Sequence, residues 1–276
     1  MFLYRYKLIK FQYLYIQVFL LSLSQESSKR RRHQNGDTRK VRSGVLYTKR
    51  KVSAHKIVLI MVRLAAIEGG GTTWVVGICE DEPSNITSRK SFKTESPETT
   101  LAAIREYLNQ QSPIDCIGIA SFGPLQAKNN VEKYGFITTT PKPGWRDTNL
   151  LELLGIKDEF KGIPFSLDTD VNAPALAEYS VLSKTRDISS SAYITLGTGV
   201  GVGLVVNGKT VHGMMHPEGG HLMVQRLPDD TFEGTCPFHK TCIEGLCSTG
   251  ALVRRKGCQV EDLPGLKGRL LLHSTT

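Results

Sequence analysis

Two runs of glycine, an aspartate placed between them and a cluster of cysteine and histidine carry the chemical content of this sequence. The first run is Glu68-Gly69-Gly70-Gly71-Thr72. Consecutive residues without a Cβ let backbone N–H groups approach a phosphate chain closely, and the Thr72 hydroxyl adds a donor. The run is neither G-x-x-x-x-G-K-[ST] nor a strand–GxGxxG–helix, so the P-loop and Rossmann fingerprints are excluded. Alone, such a run is more often a tight turn than a nucleotide site. The second run, Gly197-Thr198-Gly199-Val200-Gly201-Val202-Gly203, lies about 130 residues further on and is followed by Asn207-Gly208, a favoured hairpin turn. Two strand–glycine–strand units imply two related half-domains, each offering a phosphate-binding turn; the alternative is a pair of glycine-rich hairpins.

Between the runs stands Asp168-Thr169-Asp170-Val171-Asn172-Ala173-Pro174, where a short apolar strand gives way to a helical stretch. Phosphoryl transfer to an alcohol needs a carboxylate to accept the hydroxyl proton, and donors with Mg²⁺ to neutralise the phosphates. Asp170 is placed for the first role, although a carboxylate there is also a natural helix N-cap.

His221, Cys236, His239 and Cys242 follow the pattern H-x14-C-x2-H-x2-C, with Cys247 as an alternative fourth ligand. Four nitrogen and sulfur ligands at such spacing suit a closed, tetrahedral, structural Zn²⁺ site; buried thiols with chance histidines are the alternative. Glu218-Gly219-Gly220-His221 leads into the cluster and Glu244 follows it. Carboxylates on a metal-tethered loop could grip sugar hydroxyls, or could be solvated surface charges. Cys79, Cys116 and Cys258 read as ordinary core or surface residues.

These groups need elements to hold them. Residues 64–67 form a short apolar strand into the first glycine turn, 74–78 resume as a strand, and 86–92 supply a third. Pro97 opens a helix with Leu101, Ile104 and Leu108 at helical spacing, and 115–120 read as a buried strand. That is an α/β pattern. The net charge of +9 divides unevenly: the first sixty residues carry +12 and the remainder −3, so a nucleic-acid argument from total charge fails. The apolar run at 11–23 is too short to span a bilayer and lacks a signal cleavage site, and the basic stretch after it could be a targeting segment or an interaction arm. Residues 1–60 are set aside as a basic extension, disordered or non-native. Clustered rather than dispersed cysteines point to a reducing compartment.

Taken together, the IEGGGT, TTPKPGW (139–145), DTDVNAPALAE (168–178), LGTGVGVG (196–203), EGGH and CPFH…CIEG segments resemble the ROK family of sugar kinases, and most nearly its bacterial-type fructokinases. The resemblance implies an actin-like ATPase fold of two ribonuclease-H-like domains, the first over 61–188 and the second, partial, over 189–276. It implies ATP with Mg²⁺ as co-substrate and a hexose, fructose favoured, as acceptor. Asp170 would be the catalytic base. Glu68, Gly69, Gly70, Gly71, Thr72, Gly197, Thr198, Gly199 and Gly201 would bind the nucleotide. Asn172, Glu218, His221 and Glu244 would contact sugar, and His221, Cys236, His239 and Cys242 would hold zinc, which is the first expectation for His221. A cytoplasmic location and a homodimer are expected, with no membrane or nucleic-acid partner. The runner-up is a ROK-type sugar-responsive repressor or a non-catalytic sugar-binding protein. A family member would run on after Gly257 through an adenosine-binding segment, so the chain is expected to be truncated at its C-terminus, with weak or absent turnover.

Overall fold

The computed structural model describes residues 62–81, 85–129 and 131–257, and the backbone of 269–274. The expectations for residues 1–60 and for Cys258 lie outside these. The chain divides into two compact units, 1–170 and 171–276.

The first unit is built on β1 (Arg63–Gly69), β2 (Thr73–Glu80), β3 (Ile86–Lys93), α1 (Pro97–Gln110), β4 (Cys116–Ser121), β5 (Phe136–Ile137), β6 (Thr148–Asn149), α2 (Leu150–Leu153) and β7 (Phe165–Thr169). Its sheet has the order β3-β2-β1-β4-β7. The first three strands form an antiparallel meander, while β4 joins β1 and β7 joins β4 in parallel. Parallel strands are covered on both faces and read as unbroken apolar runs; accordingly all six residues of β4 are buried. At the edge, β3 alternates and carries Arg89, Lys90 and Lys93, which discourages further strand pairing. Helix α1 starts where expected: Ser96 accepts the Thr99 N–H, Pro97 occupies the first turn, and Leu101, Ile104 and Leu108 are fully buried. A small β5–β6 ribbon completes the unit.

The second unit comprises α3 (Asn172–Leu182), β8 (Ser190–Leu196), β9 (Val200–Val206), β10 (Lys209–Thr210), a single 3₁₀ turn at Gly219–His221, α4 (Ile243–Cys247), α5 (Thr249–Lys256) and β11 (Arg269–Ser274). The sequence-based division at 188 leaves α3 with the first domain, whereas here it packs on β8 and β9 through Ala175, Tyr193 and Val205. The meander β10-β9-β8 repeats the β3-β2-β1 arrangement of the first unit. On the far side of β8, where β1 has a parallel neighbour, stands β11 running antiparallel. The described residues contain no helix long and apolar enough to cross a membrane.

Candidate active site and metal centre

In the first unit the register aligns Gly69, Ser121 and Thr169 across β1, β4 and β7, so the first glycine turn and Asp170 leave the sheet at one edge, beyond the carboxyl ends of the parallel strands. This is where ligands of α/β sheets bind. Two strand spacings separate them, about 10 Å. The Asp170 N–H donates to Ser121 O at 3.0 Å, extending β7 by one residue. The residue at the N-cap of α3 is Val171, which makes no side-chain cap hydrogen bond.

The turn itself is held from β3's end by a residue that carries no sequence signal. Thr94 donates through Oγ1 to Gly70 O at 2.9 Å and through its N–H to Thr72 O at 3.0 Å. Beneath it Trp74 is fully buried, its ring standing where a side chain on Gly69 would go. Trp145, from the TTPKPGW segment, stacks on Trp74 with centroids 5.5 Å apart and donates from Nε1 to Glu95 O at 2.8 Å. Lys142 to Trp145 form a turn with proline second and glycine third, Gly144 taking φ +79°, and the Trp145 N–H returns to Lys142 O. The segment is therefore anchored directly under the first glycine turn.

In the second unit the glycines of the β8–β9 hairpin serve different ends. At Gly203 a Cβ would collide with the Val171 carbonyl, so this glycine is required for α3 to lie on β9. Around Gly71 and Gly197 the space is open. Asn172, expected to contact sugar, is instead fully buried: its Oδ1 accepts the Leu204 N–H and its Nδ2 donates to Val211 O, each at 3.3 Å. Both polar atoms are engaged with backbone, and the residue ties α3 to the strands. Glu244, also expected at the sugar, uses its Oε2 to accept the Val200 N–H at 3.0 Å, against Gly199. The Thr249 N–H, at the start of α5, donates to Gly197 O at 2.8 Å. The second glycine turn is thus clamped by the two short helices that follow the Cys/His cluster.

The four cluster residues come together, with ligand atoms all within 4.8 Å of one another. His221 Nδ1 lies 3.7 Å from Cys236 Sγ, 3.6 Å from Cys242 Sγ and 3.4 Å from His239 Nδ1, and Cys236 Sγ is 3.9 Å from His239 Nδ1. A tetrahedron with Zn–S of about 2.3 Å and Zn–N of about 2.0–2.1 Å has edges of about 3.3–3.8 Å. The donor types suit zinc, and these four separations, 3.4–3.9 Å, are close to such edges. Both thiols are free and buried. Backbone N–H groups point at the sulfurs, His239 to Cys236 at 3.4 Å and Gly245 to Cys242 at 3.5 Å. Burial pushes the Cys242 thiol up, with the Cys236 sulfur and the Glu244 carboxylate adding to it; a bound divalent cation reverses that preference by stabilising the thiolate. Cys247 is exposed and outside the cluster, and burial pushes Cys79 and Cys116 up to about 11 and about 12, which marks them as inert core thiols. Glu218 takes a left-handed conformation, φ 49° and ψ 40°, and presents a half-exposed carboxylate beside His221.

A five-stranded sheet with an antiparallel meander and two parallel strands, repeated in part by a second meander, each with a glycine turn after its first strand, is the architecture of the actin-like ATPases. The ROK family model matches residues 64–268, and the chain belongs to the ROK family. It is 41% identical over 201 residues to a fructokinase of Pediococcus pentosaceus, covering 73% of this chain and 68% of that one. It is 39% identical over 203 residues to a fructokinase of Zymomonas mobilis, covering 71% and 66%. Among solved structures, a ROK family glucokinase from Streptomyces griseus in complex with glucose and AMPPNP superposes with a TM-score of 0.52 at 26% identity, covering 70% of this chain and 59% of that one. The chain spans about two thirds of the length of these fructokinases.

Proposed function

We propose that this chain carries the phosphoryl-transfer machinery of a fructokinase-type ATP:hexose phosphotransferase, acting in the cytoplasm on fructose as the favoured hexose. The observation that carries the reading is the emergence of Asp170 and the Glu68–Thr72 turn at one edge of the β1-β4-β7 strands. Asp170 takes the proton of the sugar 6-hydroxyl as the oxygen attacks the γ-phosphate of Mg·ATP in line. The N–H groups of the first turn, with Gly71 open and Thr72 exposed, receive phosphate oxygens. Thr198 offers the corresponding donor of the second turn, while Gly197, whose N–H closes the turn on Gly199 O at 2.9 Å, shapes it with Gly199 and Gly201. Glu218 is the half-exposed carboxylate left to hold sugar hydroxyls; Glu244 reaches them only by leaving Val200. Zinc, held by His221, Cys236, His239 and Cys242, supplies structure, since four protein ligands leave no position for water. The homodimer remains part of the proposal by likeness to the family.

The reading is tested by a coupled assay for ADP release with Mg·ATP and a panel of hexoses, run beside calorimetric sugar binding. Turnover with fructose, lost in Asp170→Asn while sugar binding persists, supports it. An Asp170→Asn protein that turns over at the parent rate removes Asp170 as the base.

A further inference from the structure

His216 plays no part in the chemistry above, yet it is nine-tenths buried, 10% of its side chain remaining exposed. Its Nδ1 lies 3.2 Å from Glu218 Oε1, and its Nε2 is buried with no hydrogen-bond partner. Glu218 in turn holds a left-handed backbone conformation unfavourable for a residue with a Cβ, and its second oxygen, Oε2, lies 3.9 Å from Nε2 of His221. His221 directs its other nitrogen, Nδ1, at both sulfurs of the cluster. The carboxylate therefore stands between two imidazoles, one of them a ligand.

We propose that His216 and Glu218 form the outer shell of the metal site: His216 holds Glu218 through its Nδ1–H, and Glu218 fixes the tautomer and orientation of His221. A histidine can give a metal its Nδ1 lone pair only when the ring proton resides on Nε2. A carboxylate facing Nε2 favours that tautomer and makes the ring a better donor. At 3.9 Å the Glu218–His221 contact is electrostatic rather than a hydrogen bond, whereas the His216–Glu218 contact is within hydrogen-bond reach. The strained Glu218 backbone and the incompletely satisfied His216 ring are costs that keep the carboxylate at this spot, where it can serve the sugar and the metal site together. The inference rests on the metal reading of the Cys/His cluster.

The test loads the full chain with Zn²⁺ and follows its release to a chromogenic chelator, alongside the d–d spectrum of the Co²⁺ form. Glu218→Gly removes the carboxylate and relieves the left-handed backbone, so faster release cannot be ascribed to strain. Glu218→Gly and Glu218→Gln are expected to release metal about 10–100-fold faster. His216→Asn, whose amide donates from the place of Nδ1, should stay near the parent rate, while His216→Phe should follow the Glu218 variants and shift the Co²⁺ bands. Parent-like retention in both Glu218 variants overturns the proposal, as does equal behaviour of His216→Asn and His216→Phe, which would leave only packing. A parent chain that takes up no Zn²⁺ overturns the metal reading and this inference together.

Discussion

Residues of the same type do unlike work here, and what decides the work is the partner. Gly203 faces the Val171 carbonyl while Gly71 faces nothing within 4 Å. Gly203→Ala should therefore destabilise the second unit by about 1–3 kcal/mol in urea unfolding, because α3 must shift off β9. Gly71→Ala should leave the midpoint unchanged and act only on nucleotide binding. Asp170→Asn should lower turnover about 10²–10⁴-fold, the usual range for loss of a general base, with sugar affinity retained. The sequence shows the residue types at each of these positions but not their partners. The resemblance implies sugar contacts for Asn172 and Glu244, whereas both meet backbone groups 32, 39 and 44 positions away. No local pattern contains pairings of that range. Thr94, whose partner Gly70 stands 24 positions away, carries no sequence signal for the same reason.

At the scale of elements, the short helices α4 and α5 join the Cys/His cluster to the second glycine turn. Cys242 caps α4, Glu244 follows it and reaches Val200, and Ser248 caps α5, whose first N–H reaches Gly197. Glu244→Ala should therefore speed hydrogen exchange of the Val200 amide about tenfold or more, the equivalent of a charged hydrogen bond of about 1.5–3 kcal/mol. The last turn of α5 is fastened separately. Arg255 grips Asp230 with two bonds of 2.9 Å and lies over Phe232. Arg255 foremost, then Arg226, holds the Asp230 carboxyl below its usual range. Its folded value is depressed, so its contribution is complete above about pH 4, the unfolded value, and is lost as pH falls toward the folded one. Asp230→Asn should flatten the acid limb of the stability profile and leave the neutral region little altered apart from a constant offset. Elements with a period were legible in the sequence: β1, β2, α1 and β4 stand where the apolar spacing put them. The two-residue strands β5, β6 and β10 have no period to read, and β11 falls in a final dozen residues that carry none of the family's motifs.

Across the whole molecule, the strand order is what the sequence could supply only through resemblance. Alternation of strand and helix gives an α/β class, but the sequence β3-β2-β1-β4-β7, with its switch from antiparallel to parallel, depends on which strands pair. The charge division was legible, with the +12 portion lying outside the described residues.

The stacked indoles have a consequence for how the molecule is observed. Trp74 and Trp145 are the chain's two tryptophans, and both belong to the first unit, as one face-to-face pair. Selective excitation of indole therefore reports on the ground beneath the first glycine turn and is blind to the second unit, whose Tyr179 and Tyr193 it does not excite. Stripping metal with a chelator should weaken the second unit in far-ultraviolet dichroism while indole emission stays constant. A change in that emission on adding Mg·ATP would be an optical signature of the first turn alone.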